Sequence, residues 1–240
     1  MSILFLHLDA PMQSWGTRSH FGSRDTATEP TKSGLVGLIG AALGVARHDT
    51  EAIGRLAALR LGVRVDREGT VEEDFHTVQN VPDTTGKGHR GVITRRYYLA
   101  DALFLAALEG PAEDLHAIHH ALEHPRWPLF FGRKAFPPAR PLVVPVGNEP
   151  FPPITDHTLE EALHHHPWLE VGTAVRRRAI QRAESLWLRA VVDSEPTHPE
   201  AELRHDHPVT FQQNNRQHRT RTVRTFHIPV SPELLARAQP

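Results

Sequence analysis

The chain has 240 residues, of which 39% are hydrophobic, so it can bury the core of one moderate-sized domain or of a domain with a smaller second lobe. Its 27 lysines and arginines balance 28 acidic residues, which argues against a protein that binds polyanions over its whole surface. Any nucleic-acid site must therefore be local. The absence of cysteine excludes disulfides, thiolate metal sites and cysteine nucleophiles.

The first ten residues hold a short apolar run that His7 and Asp9 interrupt. They lack the basic start and the long apolar stretch of a signal peptide. No sequence window reaches the length of a membrane span. We therefore expect a cytoplasmic protein that has no membrane contact and no cofactor.

The predicted elements follow the order of a split βαβ unit. They are a strand at 3–8, a glycine-rich helix from 33, a strand at 58–65, a long hairpin at about 76–97, a strand at 102–108, a helix at 113–122 and a strand near 142–146. This order predicts an α+β, ferredoxin-like (RRM-type) domain over 1–146, with the hairpin projecting as a thumb. Strands at 180–192 and 220–230 predict a smaller β-rich carboxyl-terminal lobe over 147–240.

The start of the glycine-rich helix has the features of an anion-binding site. Thr31, Lys32, Ser33 and Gly34 precede its first apolar turn, and Ser33 is the predicted N-cap. Free backbone amides, the helix dipole and a nearby ammonium group attract phosphate, although many such helix starts bind nothing. The sequence lacks the G-x-x-x-x-G-K-[ST] order of a P-loop, which argues against nucleotide hydrolysis. Close packing on a sheet is the favoured explanation for Gly37, Gly40 and Gly44.

Other segments combine aromatic and polar or basic residues. Trp15 beside Gln13 can stack a base and bond its edge, although a tryptophan at a strand end more often fills a core. Gly132, Arg133 and Lys134 follow two phenylalanines, a combination that suits RNA, with a solvated basic turn as the alternative. The hairpin carries basic residues that would either clamp an RNA backbone or only add solubility: Lys87, Arg90, Arg95 and Arg96.

Catalytic and metal-binding interpretations have weaker support. His76, Tyr97, Tyr98 and Lys87 have side-chain types that a metal-independent ribonuclease uses, but the 18 histidines make such a match common. No nucleophile elbow, dinucleotide fingerprint or RNP1 motif occurs. We predict no native metal site, because neither His205 with His207 nor the triplet at 164–166 lies in an H-E-x-x-H arrangement.

Several segments together resemble the CasD family, the subunit of the type I-E CRISPR Cascade complex that binds the 5′ handle of the crRNA. Their order and approximate spacing agree with that family, and the resemblance covers roughly the first 145 residues. The opening A-P-M-Q-S-W-G signature and the glycine helix are the most specific parts. The matching blocks lie at 8–16, 30–40, 74–78, 96–102, 125–127 and 131–134.

This resemblance implies an antiviral RNA-binding subunit without catalysis of its own. It would hold the 5′ handle of the crRNA and cap the filament of CasC-family backbone subunits. Further partners would be the CasA-family large subunit and other Cascade proteins, with target DNA reached only through the assembled complex. The residues predicted to bind RNA are Gln13, Trp15, Arg24, Lys32, Ser33, Gly34, His76, Arg90, Arg95, Arg133 and Lys134.

Two other functions compete with handle binding. In the first, the chain is a metal-independent endoribonuclease that processes CRISPR repeat RNA with His76 or His89 and Lys87. In the second, it is mainly a protein adaptor whose basic residues face partner subunits. The arginines between 216 and 224 would contact either RNA or the large subunit, and the sequence does not choose between them.

Overall fold

The computed structural model describes residues 1–16, 19–20, 22–82, 84–86, 88–144, 154–170, 172, 181, 186–231 and 234. The fold of these residues is α+β, as predicted. Its helices are α1 (Lys32–Leu43), α2 (Thr50–Ala58), α3 (Ala112–Glu123) and α4 (Leu159–His165). Its strands are β1 (Ser2–Asp9), β2 (Met12–Gln13), β3 (Ser19–His20), β4 (Ser23–Arg24), β5 (Arg60–Arg67), β6 (Thr70–Pro82), β7 (His89–Ala100), β8 (Leu103–Gly110), β9 (Ile154–Thr155), β10 (Trp187–Asp193), β11 (Glu202–Thr210) and β12 (Gln217–Pro229).

The main sheet has seven strands in the order β11-β12-β10-β5-β8-β1-β9, and each neighbouring pair is antiparallel. Strand β10 pairs with β5, so that Val191 lies opposite Val63. The sheet therefore runs without interruption across the predicted boundary after residue 146. The carboxyl-terminal strands extend the first domain's sheet instead of forming a sheet of their own.

Helices and loops cover both faces of the central strands. Side chains of β1 alternate between the two faces, because successive residues of a strand point in opposite directions. Leu4 and Leu6 face a core that α1 and α3 complete. Ile3 and Phe5 face a second core, which α4 and Trp168 complete. The arrangement leaves no open sheet surface over β1 and β8 in the described part of the chain.

A buried ion pair fixes the second layer to the sheet. Arg64 and Asp66 of β5 contact each other with Nε and Oδ1 2.6 Å apart, and both side chains are inaccessible to solvent. Arg64 also donates to the carbonyl oxygens of His166 and Pro167, each at 2.7 Å. Arg64 Nη1 also donates at 2.5 Å to Leu163 O in the last turn of α4, where a helix leaves carbonyl groups without an intrahelical partner. The pair therefore both neutralises itself and caps α4.

Most of the predicted elements are present, with corrections at several places, and the strands predicted from 58 and 180 begin at Arg60 and Trp187. Helix α1 begins one residue earlier than predicted, and Thr31 is its N-cap, not Ser33, because the Thr31 hydroxyl accepts from the amide of Gly34. Helix α2 was not predicted. The predicted strand near 142–146 is not a strand at 142–144, although Leu142 O accepts a 2.7 Å hydrogen bond from His7 N. Residues 145 and 146 lie outside the described residues.

The thumb is longer than the predicted 76–97. Strands β6 and β7 pair from Thr70 opposite Ala100 to Pro82 opposite His89, with a bulge after Val78. At its base, β7 also pairs with β2 and β4. The hairpin is thus part of a second, five-stranded sheet that holds it against the body. None of the described helices combines the length and apolar character needed to cross a bilayer.

Candidate nucleic-acid interface

Basic side chains from separate segments meet at the base of the thumb. Strand β4 runs parallel to β7, and Arg24 lies opposite Arg96 in register. Residues opposite each other in a sheet project from the same face. A 2.7 Å hydrogen bond from Arg95 N to Gly22 O fixes this pairing. Two guanidinium groups that are 72 residues apart in sequence therefore occupy one face of the hairpin base.

The turn at Gly132–Lys134 adds a third guanidinium group. Arg133 Nη2 donates to Tyr97 O at 2.6 Å, and the guanidinium carbon lies 5.2 Å from the ring centroid of Phe136. Arg133 Nη1 is buried and has no hydrogen-bond partner among the described residues. The side chain is thus oriented by two contacts, and one of its donors has no partner among the described residues. Lys134, the next residue, is exposed.

The electrostatics show that these groups are close to one another. Burial lowers the pKa of Arg133, and the nearby charges of Arg96 and Arg24 lower it further, while Asp74 acts in the opposite direction. Like charges that gather repel each other, and Asp74, which lies opposite Arg96, offsets part of this repulsion. A phosphate group bound beside these guanidinium groups would relieve this repulsion. We call Arg24, Arg96 and Arg133 the thumb-base cluster.

The signature residues Gln13 and Trp15 support this region from inside the core. Gln13 is fully buried, and its Nε2 donates to Leu8 O and Ala102 O at 3.1 and 2.8 Å. Its Oε1 accepts from Trp15 Nε1 at 3.1 Å, and Trp15 is 2% exposed. The expectation that Trp15 stacks a base and Gln13 bonds its edge needs correction, because both side chains are already enclosed and paired within the protein.

The start of α1 is also occupied by side chains of the protein itself. Lys32 N donates to Asp206 Oδ2 at 2.8 Å, and Lys32 Nζ lies 2.7 Å from Asp193 Oδ2. Asp206 thereby occupies the position that the sequence suggested for a phosphate. Ser33 is half-buried beside the Thr31 hydroxyl. The cradle predicted at Lys32, Ser33 and Gly34 is therefore closed in this structure, because a carboxylate of β11 satisfies the helix amide and the ammonium group is paired.

Gly34 serves packing. A Cβ atom at this position would lie 2.8 Å from Trp15 Cε3, closer than atoms normally approach. Gly132 has the same role in the basic turn, where a Cβ atom would lie 2.0 Å from Ser14 O. The glycines therefore bring the α1 start and the basic turn against the signature loop.

The remaining predicted residues lie farther along the thumb. Arg95 is exposed, faces away from the thumb-base cluster and lies 3.6 Å from Glu73. His76 Nε2 is 2.7 Å from Asp74 Oδ2. Arg90 lies six residues from Arg96 along β7, about 20 Å away. The structure thus brings Arg24 and Arg133 together, and it separates Arg90 and Arg95 from them.

Arg96 is a basic residue of the predicted hairpin but is not among the residues predicted to bind RNA. Its pairing with Arg24 is long-range, and no local pattern reveals it. The arginines between 216 and 224 are also divided. Arg221 pairs with Asp193 and Asp206, and Arg224 with Glu160, so Arg216 and Arg219 are the exposed members of this group.

Comparison with known proteins places the chain in a family. The family model for the CRISPR-associated protein Cas_Cas5 matches residues 3–224. The CRISPR system Cascade subunit CasD of Escherichia coli (strain K12) is 36% identical over 155 residues, which are 59% of this chain and 69% of that protein.

Two solved structures are similar over nearly the whole chain. One, described as the crystal structure of a Cas protein, has a TM-score of 0.69 and 36% identity, and the match covers 95% of each chain. The other, from a CRISPR RNA-guided surveillance complex, has a TM-score of 0.75 and 30% identity, and the match covers 97% of this chain and 92% of that one. The chain therefore belongs to the Cas5 family of CRISPR-associated proteins.

Proposed function

We propose that this chain is a non-catalytic, RNA-binding subunit of a type I-E CRISPR surveillance complex that acts in antiviral defence. It holds the 5′ handle of the crRNA and caps the backbone filament. The observation that carries this proposal is the convergence of Arg24, Arg96 and Arg133 at the base of the thumb. Similarity to a Cascade subunit and to a chain of an RNA-guided surveillance complex supports it.

The thumb-base cluster has the chemistry that a sharply bent RNA backbone requires. Guanidinium groups bind phosphate oxygens with paired donors, and three of them neutralise neighbouring phosphates of a single strand. The near-zero net charge of the chain favours binding at a local patch of this kind over binding by the whole surface. Phosphate contacts position an RNA without reading its sequence, which suits a handle of constant sequence.

The fold supports a ferredoxin-like core that uses its thumb for RNA. Strands β9, β1, β8 and β5 adjoin in the order expected of a split βαβ unit, with α1 and α3 packed on one face. RRM domains bind RNA on an open sheet face, whereas the opposite face here carries α4 and Trp168. The RNA site therefore lies at the thumb base.

The geometry disfavours the ribonuclease alternative. His76 lies opposite Thr94, four residues from Tyr98 on the same face of the hairpin, so the two are about 13 Å apart along the strand. Tyr97 projects from the other face. A general acid and a general base must reach the same phosphate, and these side chains are too far apart to do so. Lys87 lies outside the described residues.

The other face of the thumb suits a protein partner. Val71, Phe75 and Ile93 project from this face, and they are 52, 55 and 56% exposed. Exposed apolar side chains that share one face, here with the Glu73–Arg95 pair between them, suit a protein partner. We assign this face to the adjacent backbone subunit, while the exposed Arg216 and Arg219 are available to the large subunit or to RNA. Target DNA meets the protein only through the assembled complex.

The direct test is the affinity of the purified chain for a labelled repeat RNA that contains the 5′ handle, measured by fluorescence anisotropy. Arg133→Glu should weaken binding at least about tenfold, because it removes one charge-assisted contact and adds repulsion. Arg55→Glu, an exposed change on α2, is the matched control and should bind as the wild type does. Equal binding by the Arg133 variant would refute the assignment.

The same samples test the absence of catalysis. After prolonged incubation in EDTA, a denaturing gel should show the repeat RNA intact. Site-specific cleavage that His76→Ala abolishes would instead establish the ribonuclease alternative.

A further inference from the structure

The last turn of α3 carries a group of potential metal ligands. His120, Glu123 and His124 each offer one ligand atom, and the three atoms lie within 4.8 Å of one another. Spacings of three and four residues place them on one side of the helix. The imidazole centroids of His120 and His124 are 4.9 Å apart. Both histidines are exposed, so the core does not need them.

Glu123 is held in place by a buried neighbour. His119 is 5% exposed, and its Nδ1 lies 3.3 Å from Glu123 Oε2. Its Nε2 lies 3.1 Å from Val144 O. A buried side chain therefore links the carboxylate to a backbone carbonyl. Second-layer contacts of this kind orient metal ligands and strengthen binding.

The position on the helix also favours a cation. His124 is the C-cap residue of α3, and its amide donates to His120 O at 3.0 Å. The carboxyl end of a helix carries a partial negative charge from its free carbonyl groups. A bound cation would gain from this field, whereas a phosphate would not.

We propose that His120, Glu123 and His124 form a binding site for a divalent transition metal such as Zn²⁺. Two imidazoles and a carboxylate suit Zn²⁺, Ni²⁺ and Cu²⁺, whereas Mg²⁺ and Ca²⁺ prefer oxygen ligands. Three protein ligands leave the fourth tetrahedral position to water. The site differs from the pair His205 and His207 and from the triplet at 164–166, and it revises the expectation that the chain has no metal site.

The other histidine-rich segments do not form such a group among the described residues. His166 is buried and contacts Pro167 O through Nδ1, which removes it from the triplet at 164–166. His205 Nδ1 is engaged with the hydroxyl of Thr220 at 3.3 Å. Convergence on α3 therefore does not simply reflect the high histidine content.

The test is Zn²⁺ binding to the tag-free chain, measured by competition with a chromogenic chelator. The wild type is expected to bind one Zn²⁺ at this site, and the double variant His120→Ala, His124→Ala should lose at least about tenfold in affinity. Glu123→Gln should also weaken binding. His116→Ala is the matched control, because His116 is an exposed histidine of the same helix, four residues before His120.

Thermal unfolding provides a second measurement on the same proteins. Zn²⁺ should raise the melting temperature of the wild type and of His116→Ala but not that of the double variant. Unchanged Zn²⁺ affinity in a folded double variant, or equal loss in His116→Ala, would overturn the proposal. Because the thumb-base cluster is untouched, RNA binding should be the same in all four proteins.

Discussion

Gly132 positions Arg133 against the thumb. Its φ of +86° is unfavourable for other residues, and a Cβ atom would lie 2.0 Å from Ser14 O. The close approach permits the 3.1 Å hydrogen bond from Ser14 N to Phe131 O. It also places Arg133 where its Nη2 atom can donate to Tyr97 O. Because Gly132 has no side chain, the signature loop can contact the turn that carries Arg133 of the proposed RNA site.

Gly132→Ala is expected to lower the free energy of unfolding by more than about 1 kcal/mol, since it adds both backbone strain and a clash. It should also weaken handle binding by displacing Arg133. Gly54→Ala is the control: it makes the same chemical change on α2, where a Cβ atom would meet nothing within 4 Å. That variant should be more stable by about 0.5–1 kcal/mol. Urea unfolding measures both, and equal effects would contradict the packing role of Gly132.

The signature residues show what sequence can and cannot predict at this scale. A-P-M-Q-S-W-G indicated the family, yet Gln13 and Trp15 are core residues. A glutamine and a tryptophan suit contact with RNA and suit packing inside the protein. Residue type alone therefore does not distinguish these two roles. The partners that decide the matter, Leu8 O and Ala102 O, are backbone atoms that no sequence pattern identifies.

At the level of elements, the thumb separates two kinds of surface. Alternation along β6 and β7 puts Asp74 and Arg96 on one face and Phe75 and Arg95 on the other. The first face belongs to the thumb-base cluster. The second carries the exposed apolar side chains assigned to a backbone subunit.

Phe75→Asp is expected to impair assembly with the backbone subunit while leaving affinity for the handle RNA within about twofold, because the substitution lies on the face opposite Arg96. Co-purification with the backbone subunit measures assembly, and anisotropy measures RNA affinity. Val78→Asp is the matched control, since Val78 is 45% exposed but lies on the cluster's side of the hairpin. If RNA affinity falls while assembly is normal, the assignment of the two faces is wrong.

The start of α1 depends on β11 for its counter-charge. Asp206 accepts from Lys32 N and from Arg221 Nε, at 2.8 and 2.6 Å. Burial favours the protonated carboxyl, but the hydrogen bond and charge of Arg221 outweigh it and hold the pKa of Asp206 below its usual value. The contact ties the amino-terminal helix to the carboxyl-terminal strands.

Asp206→Asn should therefore reduce the free energy of unfolding by about 2 kcal/mol, because Arg221 loses one charged hydrogen-bond partner while it keeps Asp193. Glu160→Gln removes the half-exposed partner of Arg224 and should cost less than about 1 kcal/mol. Urea denaturation distinguishes the two. A loss of RNA affinity without a loss of stability in Asp206→Asn would instead favour a direct role of the α1 start.

The elements that sequence predicted correctly share a strong local signal. Strands β1, β5 and β8 and helix α3 have clear apolar patterns. Helix α2 was missed because its signal is short: Gly54 interrupts nine residues, and only Ile53 and Ala57 are buried. Its N-cap, Asp49, is a residue type that is also common in turns, so it does not by itself predict the start of a helix.

The described part of the chain is built around the seven-stranded sheet, with a core on each face of its central strands. The predicted lobe at 147–240 supplies β10, β11 and β12 to that sheet and α4 to its second face. Buried polar groups occur between these layers. His7 and His166 have ring centroids 5.4 Å apart, with Arg64 and Arg140 nearby.

Acid should destabilise the molecule through this histidine pair. Burial, together with Arg140 and Arg64, lowers the pKa of His7 to about 4, and burial lowers that of His166 well below its usual value. The unfolded state therefore binds more protons between pH 6.5 and pH 4. Stability should be highest above about pH 7 and should fall as pH drops, by up to about 3 kcal/mol from His7 by pH 4.

Urea unfolding as a function of pH measures this effect. His7→Gln should flatten the decline between pH 7 and pH 4, whereas His116→Gln, at an exposed site, should leave it unchanged. A decline of the same size in the His7 variant would show that other groups cause it.

The continuity of the sheet was the least predictable feature at this scale. Prolines and mixed charges after residue 150 suggested a separate lobe, because local sequence does not report which strand edge a later segment joins. Pairing of β10 with β5 links residues more than 120 positions apart. Such contacts depend on tertiary burial, which the apolar pattern of one strand does not specify.

The central claim is that Arg24, Arg96 and Arg133 contact phosphates of the crRNA handle, and the salt dependence of binding tests it most directly. Each lost phosphate contact should reduce the slope of log K against log salt by about 0.7 for a single strand. The triple variant Arg24→Gln, Arg96→Gln, Arg133→Gln is therefore expected to have a slope smaller in magnitude by about 2. A folded triple variant with the wild-type slope and affinity would contradict the account.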